Sequence, residues 1–92
     1  MLNLEFGIEG DGSSHAYITI ELPSGKTNQE LLGILDEEFK TIEKELFGTH
    51  VFLNGRMTNL MSLSLGHKLA HICKSVSGFD PKENQYFLVI SH

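Results

Sequence analysis

The amino-acid sequence predicts a small α/β domain, a mixed sheet of about five strands with two helices and a Rossmann-like middle. Three observations predict it. Two stretches near the start alternate apolar and polar residues, as half-buried strands do. Two later stretches repeat apolar residues at helical spacing. After each of these comes a short extended run, and two such runs are apolar without alternation, as in strands covered on both faces. At 92 residues the chain forms a single domain, residues 1–92.

Leu2, Leu4, Phe6 and Ile8 alternate with Asn3, Glu5, Gly7 and Glu9. Residues 10–14 supply a flexible turn, and Ala16, Ile18, Ile20 and Leu22 then alternate with Tyr17, Thr19 and Glu21. The two runs pair as an antiparallel hairpin with one buried and one wet face. Pro23, Ser24 and Gly25 end the second strand. Thr27, followed three residues later by Glu30, is a capping box. Leu31, Leu35, Phe39, Ile42 and Leu46 follow at helical spacing, and Gly48 stops the helix. Asp36, Glu37, Lys40, Glu43 and Lys44 fill its other side, as a solvated face or a partner surface.

His50, Val51, Phe52 and Leu53 suit an interior strand, which Asn54-Gly55 breaks. Thr58 or Asn59 caps a second helix over about residues 60–74. A short extended piece at 75–79, a turn at 80–84 and a continuous apolar run at 85–90 complete the chain, the last reading as a central strand. The strand–helix–strand unit around the second helix is a right-handed crossover between parallel strands.

Composition narrows the function. A formal charge of −5 argues against a broad nucleic-acid surface, and so against DNA, but leaves room for a small anion site. The single Cys73 forbids an intrachain disulfide and reads as an inert core thiol in a reducing cytoplasm. The opening residues read as a strand and not as a secretory leader, and no apolar run approaches a membrane span. So short a chain buries a modest core, which makes a homodimer a natural source of further burial.

Chemistry-bearing residues concentrate after Leu53. Gly55, Arg56, Met57, Thr58 and Asn59 sit between a strand end and a helix start, where free amides favour an anion and a guanidinium forks onto phosphate. Arg56 alone is equally an ordinary surface charge. His67 and His71 lie one helical turn apart, the spacing at which two imidazoles share a metal, or sit solvated on a helix margin. Asp80-Pro81-Lys82 offers a carboxylate for a cation or a His and an ammonium for a phosphate, or is a simple Asx-capped turn. No G-x-S-x-G elbow, Walker loop, C-x-x-C or G-x-G-x-x-G occurs.

From Gly55 onward the order of motifs resembles the third Csx family of type III CRISPR systems, a family of small ring nucleases. The resemblance rests on Gly55-Arg56, His67-Lys68, His71, Phe79-Asp80-Pro81-Lys82 and Ser91-His92. It implies a distant relative of the CRISPR-associated Rossmann fold, acting as a homodimer or higher homo-oligomer with its site assembled from more than one subunit. It implies binding of cyclic tetra-adenylate, the antiviral second messenger, and its linearisation with Mn2+. It carries the catalytic role to His71, with His67 beside it, and a catalytic or metal-associated role to Asp80, with His71 as its companion. Lys82 stands where the family has Arg, His92 takes the place of its last His, and Gly55 with Arg56 takes that of the ligand-side turn. Met57-Thr58 replaces the usual Gly-Pro.

The leading expectation is therefore a cytoplasmic ring nuclease that switches off antiviral signalling. In such a substrate each 2′-hydroxyl attacks the neighbouring phosphate, Arg56 and Lys82 hold that phosphate, and His71 moves protons. The alternative is a non-catalytic cyclic oligoadenylate or RNA-binding module, favoured by the loss of a bidentate fork at Lys82. A third reading is an interaction protein that uses the acidic first helix.

Overall fold

The structure, a computed structural model, describes every residue except Glu9, Asp11 and His92. It is an α/β domain of five strands and two helices: β1 (Leu2–Ile8), β2 (Ser14–Ile20), α1 (Asn28–Leu46), β3 (His50–Gly55), α2 (Asn59–Ala70), β4 (Ser75–Asp80) and β5 (Gln85–Ser91). The strands lie in one mixed sheet in the order β1-β2-β3-β4-β5. Hairpins β1–β2 and β4–β5 are antiparallel, while β2, β3 and β4 run parallel.

Local chemistry sets the boundaries. The capping box at the start of α1 is complete: Thr27 Oγ1 accepts the N–H of Glu30 at 3.2 Å, and Glu30 Oε1 accepts the N–H of Thr27 at 3.1 Å. Gly48, with φ of 72°, turns the chain out of α1, and its N–H reaches the carbonyl of Ile72. Helix α2 ends at Ala70, short of the expected residue 74. The amides of Ile72 and Cys73 both return to the Leu69 carbonyl, and that of Lys74 goes to Thr49, so the chain must leave the helix to enter β4.

Both parallel connections step the same way across the sheet, and right-handed crossovers then put both helices on one face. The core lies there. Ala16, Ile18, Ile20, Val51, Leu53 and Val76 meet Leu31, Leu35, Phe39 and Leu46 of α1 and Met61, Leu65 and Leu69 of α2. Cys73 is buried beside them; burial pushes its thiol above the usual range, and a hydrogen bond with Thr49 opposes part of that rise. The molecule is a slab whose shortest extent is 20 Å, one sheet and one helix layer.

Two expectations fail for one reason. Strand β3 is central but covered on one face only: Val51 and Leu53 are buried, while Phe52 is half-buried on the other side. The apolar run of β5 lies at the sheet edge, not in the middle, with Phe87, Leu88 and Val89 all exposed. A register shift opposite Val76 and Ser77 leaves Val89 as the extra residue of a β-bulge. The strand order never reverses, so the parallel unit lacks the switch-point crevice at which doubly wound sheets bind ligands.

Candidate functional site

The expected site residues fall on two rims of the slab. The first rim is formed by the carboxyl ends of β3 and β4. Gly55 closes β3 with φ of 112°, and a Cβ there would run into the main chain of Ile20. The glycine is thus required by the convergence of β2 and β3, a structural demand separate from any ligand. Asn54 Oδ1 accepts the N–H of Gly55 at 2.7 Å. Arg56 follows, exposed and without an ion-pair partner among the described residues. Met57 packs against the core. Thr58 caps α2, its hydroxyl accepting the N–H of Met61 at 3.2 Å. Asn59 opens the helix, and its amide and that of Leu60 lie in the first turn, where no carbonyl of the helix can receive them. Arg56 and these amides form a positive corner.

Asp80 reaches the same rim because β4 runs parallel to β3. Its Oδ1 accepts the N–H of Lys82 at 2.9 Å and that of Glu83 at 3.5 Å, the geometry of an Asx turn. Its other oxygen carries no bond among the described residues. Lys82 is exposed and unpaired within the same set. Of the expected site residues, this rim therefore gathers Arg56, Lys82 and the Asp80 carboxylate, with Glu83 in the same turn.

The histidines lie on the opposite rim. Helix α2 runs back from Asn59, and at about 1.5 Å per residue His71 sits roughly 18 Å along it. His71 is the C-cap, and its Nε2 lies 3.2 Å from Nε2 of His67, with the rings edge to face at 86°. A hydrogen bond at that distance needs one ring nitrogen to donate and the other to accept, and the tautomer decides which does. Both are exposed and line a groove of about 570 Å³ between the helices with Glu43, Lys40 and Ile72. Lys68 spans that groove to Asp36 at 2.8 Å and lies over the Phe39 ring.

A single protomer thus brings Gly55, Arg56, Met57, Thr58, Asn59, Asp80 and Lys82 together, and separately His67 and His71, but does not join the two groups. Among the described residues no set of three or more His, Cys, Asp or Glu side chains is placed to hold a metal ion. The pairing of Asp80 with His71 around Mn2+ does not fit within one chain, since the two side chains belong to opposite rims. The ligand role expected for His92 falls outside the described residues.

A further feature escaped the sequence reading. The uncovered face of the sheet carries Tyr17 stacked on Phe52 at 4.9 Å, with Tyr86 edge-on to both and Phe79 edge-on to Tyr86. His15 contacts both Phe52 and His50, and His50 Nδ1 lies 2.7 Å from Ser75 Oγ. The ring-bearing residues at alternate positions of β2 and β3, with Phe79 in β4 and Tyr86 in β5, were the available signal, but only the strand order shows that they share a face.

No protein-family model matches the chain, and comparison with curated proteins and with solved structures finds no match either. No helix among the described residues is long and apolar enough to cross a membrane.

Proposed function

We propose that the protein is a cytoplasmic phosphodiesterase that linearises cyclic tetra-adenylate, with its reacting groups supplied by two protomers. Arg56, Asp80 and Lys82 of one copy would face His67 and His71 of another. One observation supports this reading above the others: each rim carries half of a phosphodiester-cleaving set, and stacking rim on rim would complete it without rearranging either half. Arg56, Lys82 and the first amides of α2 suit a phosphate. The imidazole pair suits proton transfer.

In the reaction the 2′-oxygen gives up its proton to a ring nitrogen of His71 and attacks the adjacent phosphorus. The P–O5′ bond breaks, and the departing oxygen takes a proton from an imidazolium. The products are linear, with a 2′,3′-cyclic phosphate at the new end. Arg56 and Lys82 offset the charge on the non-bridging oxygens. Manganese, where the two rims meet, would add positive charge at that phosphate.

Incubating the protein with cyclic tetra-adenylate and manganese tests the proposal by chromatography of the products. Linear adenylates are expected, and His71→Ala lowers their rate by about 10²-fold or more. Equimolar His71→Ala and Asp80→Asn, the latter altering the carboxylate that would hold the manganese, are each strongly impaired alone and regain activity on mixing, because about one rim junction in four is intact in a random assembly. An inert wild type, or a His71→Ala variant of unchanged rate, refutes the proposal. One observation favours the non-catalytic binding module instead: Asp80 Oδ1 is already engaged by the amides of Lys82 and Glu83. That reading expects calorimetric binding with the cyclic ligand recovered unchanged.

A further inference from the structure

Strand β1 is one edge of the sheet, and its backbone is laid out for a further strand. In an antiparallel pair, successive residues alternate between bonding their partner strand and facing away from it. The Met1 carbonyl accepts the N–H of Glu21 on the β2 side, while the N–H of Leu2 turns outward and donates to Oε1 of Glu38 at 2.9 Å. Leu4, Phe6 and Ile8 continue the outward set, and among the described residues nothing bonds their amides or carbonyls. Edges are ordinarily blunted by Lys, Pro or a bulge. Strand β1 has neither Lys nor Pro and keeps its register throughout, whereas the opposite edge, β5, is interrupted at Val89.

A groove lies beside this edge. The outward-bonding residues are also those whose side chains lie on the helix side, since Leu4 and Phe6 stand opposite Ile18 and Ala16 of the core. Helix α1 does not seal the far end of β1: Ile8 is 78% exposed, and Phe47, the C-cap of α1, is 62% exposed. With Phe6 and the buried Thr49 they line a groove of about 540 Å³, in which Glu45 is the one charged residue among the described lining residues. Charge restricts what fits. Residues 1–25 carry four carboxylates and neither Lys nor Arg. One of the four, Glu5, sits mid-strand on the uncovered face, level with Tyr17.

We propose that β1 captures an extended, cationic segment of another protein as an antiparallel sixth strand. The apolar residues of that segment stand opposite Leu4, Phe6 and Ile8, exchange backbone hydrogen bonds with them and place their side chains along the groove beside Phe47. The intervening residues are Lys or Arg and lie on the uncovered face, where one pairs with Glu5. A single two-residue repeat thus satisfies backbone, groove and charge together. A second copy of the chain does not, because its β1 brings another Glu5 and its β5 carries no charge. The site is independent of the phosphodiesterase reading, and its test uses no nucleotide.

Calorimetry of the full chain with the blocked heptapeptide Lys-Ile-Lys-Val-Lys-Ile-Lys tests the proposal, and a dissociation constant below about 100 µM is expected. Replacing the four lysines of the peptide by glutamate should abolish binding. Glu5→Lys should weaken the lysine peptide at least about 3-fold, with an unchanged far-ultraviolet circular dichroism spectrum. Methylating the amide nitrogen of the central valine, which faces β1, should weaken binding about 10-fold or more, while methylating that of an adjacent lysine, which faces away, should not. An affinity weaker than the expected limit, equal binding of the glutamate peptide, or indifference to Glu5→Lys or to the valine methyl overturns the proposal. Concentration-dependent protection of the Leu4, Phe6 and Ile8 amides from hydrogen exchange in the free protein assigns the edge to a second copy and overturns it as well.

Discussion

The two faces of the sheet are built from the same strands at alternate positions, yet they differ in chemistry. The helix side presents Ala16, Ile18, Ile20, Val51, Leu53 and Val76, small and branched aliphatics sealed by α1 and α2. The other side presents His15, Tyr17, His50, Phe52, Phe79 and Tyr86, rings that shield one another by edge and stacking contacts and leave their outer surfaces open. Aliphatic burial stabilises the chain by itself. Aromatic and imidazole groups give large contact areas with polar handles, which suits a surface that meets something else.

The sharpest way to break this contrast is to cut both faces and compare. Leu35→Ala, at a fully buried site, should cost about 2–5 kcal/mol by urea denaturation. In a domain of this size that is a large part of total stability. Gly55→Ala should follow at about 1–3 kcal/mol, because it forces a side chain into a positive-φ site against the Ile20 backbone. Phe52→Ala on the open face should cost less, about 1–2 kcal/mol, because the ring is only half-buried. A Phe52→Ala cost equal to that of Leu35→Ala would erase the distinction between the faces.

A smaller effect comes from Cys73. Its folded-state pKa is raised, chiefly by burial, so the folded chain holds the thiol proton more tightly than the unfolded chain does. Stability from this group is present below the ordinary thiol pKa and is lost as pH rises through the thiol range toward the folded value. Urea midpoints should therefore decline more steeply on the alkaline side in the wild type than in Cys73→Ala, once each is referred to its own value at neutral pH.

Much of the scaffold was legible because it is encoded locally. The alternation of Leu2, Leu4, Phe6 and Ile8, the Thr27–Glu30 box and Gly48 each fix an element through neighbours a few residues away. The open face was not legible. Whether β4 adds beyond β3 or returns beside β2 is a choice between distant strands, and it alone decides if the helices share a side. The apolar run of β5 misled for a related reason: its composition matches that of a covered strand, while its place at the sheet edge leaves Phe87, Leu88 and Val89 exposed. The candidate site was legible in its residues and not in its placement. His71 and Asp80 are close in sequence, but the chain between them crosses the full length of β4 and so leads from one rim to the other.

Strand β5 has one more consequence. Its outer edge is a seven-residue stretch, Gln85–Ser91, without a charge or a proline, the composition from which cross-β filaments grow. The extra residue at Val89 breaks the spacing of its outward amides and carbonyls, so an incoming strand finds no regular ladder to copy. Deleting Val89 would straighten that template, and the first symptom would be thioflavin-positive fibres on mild heating, before any loss of helix.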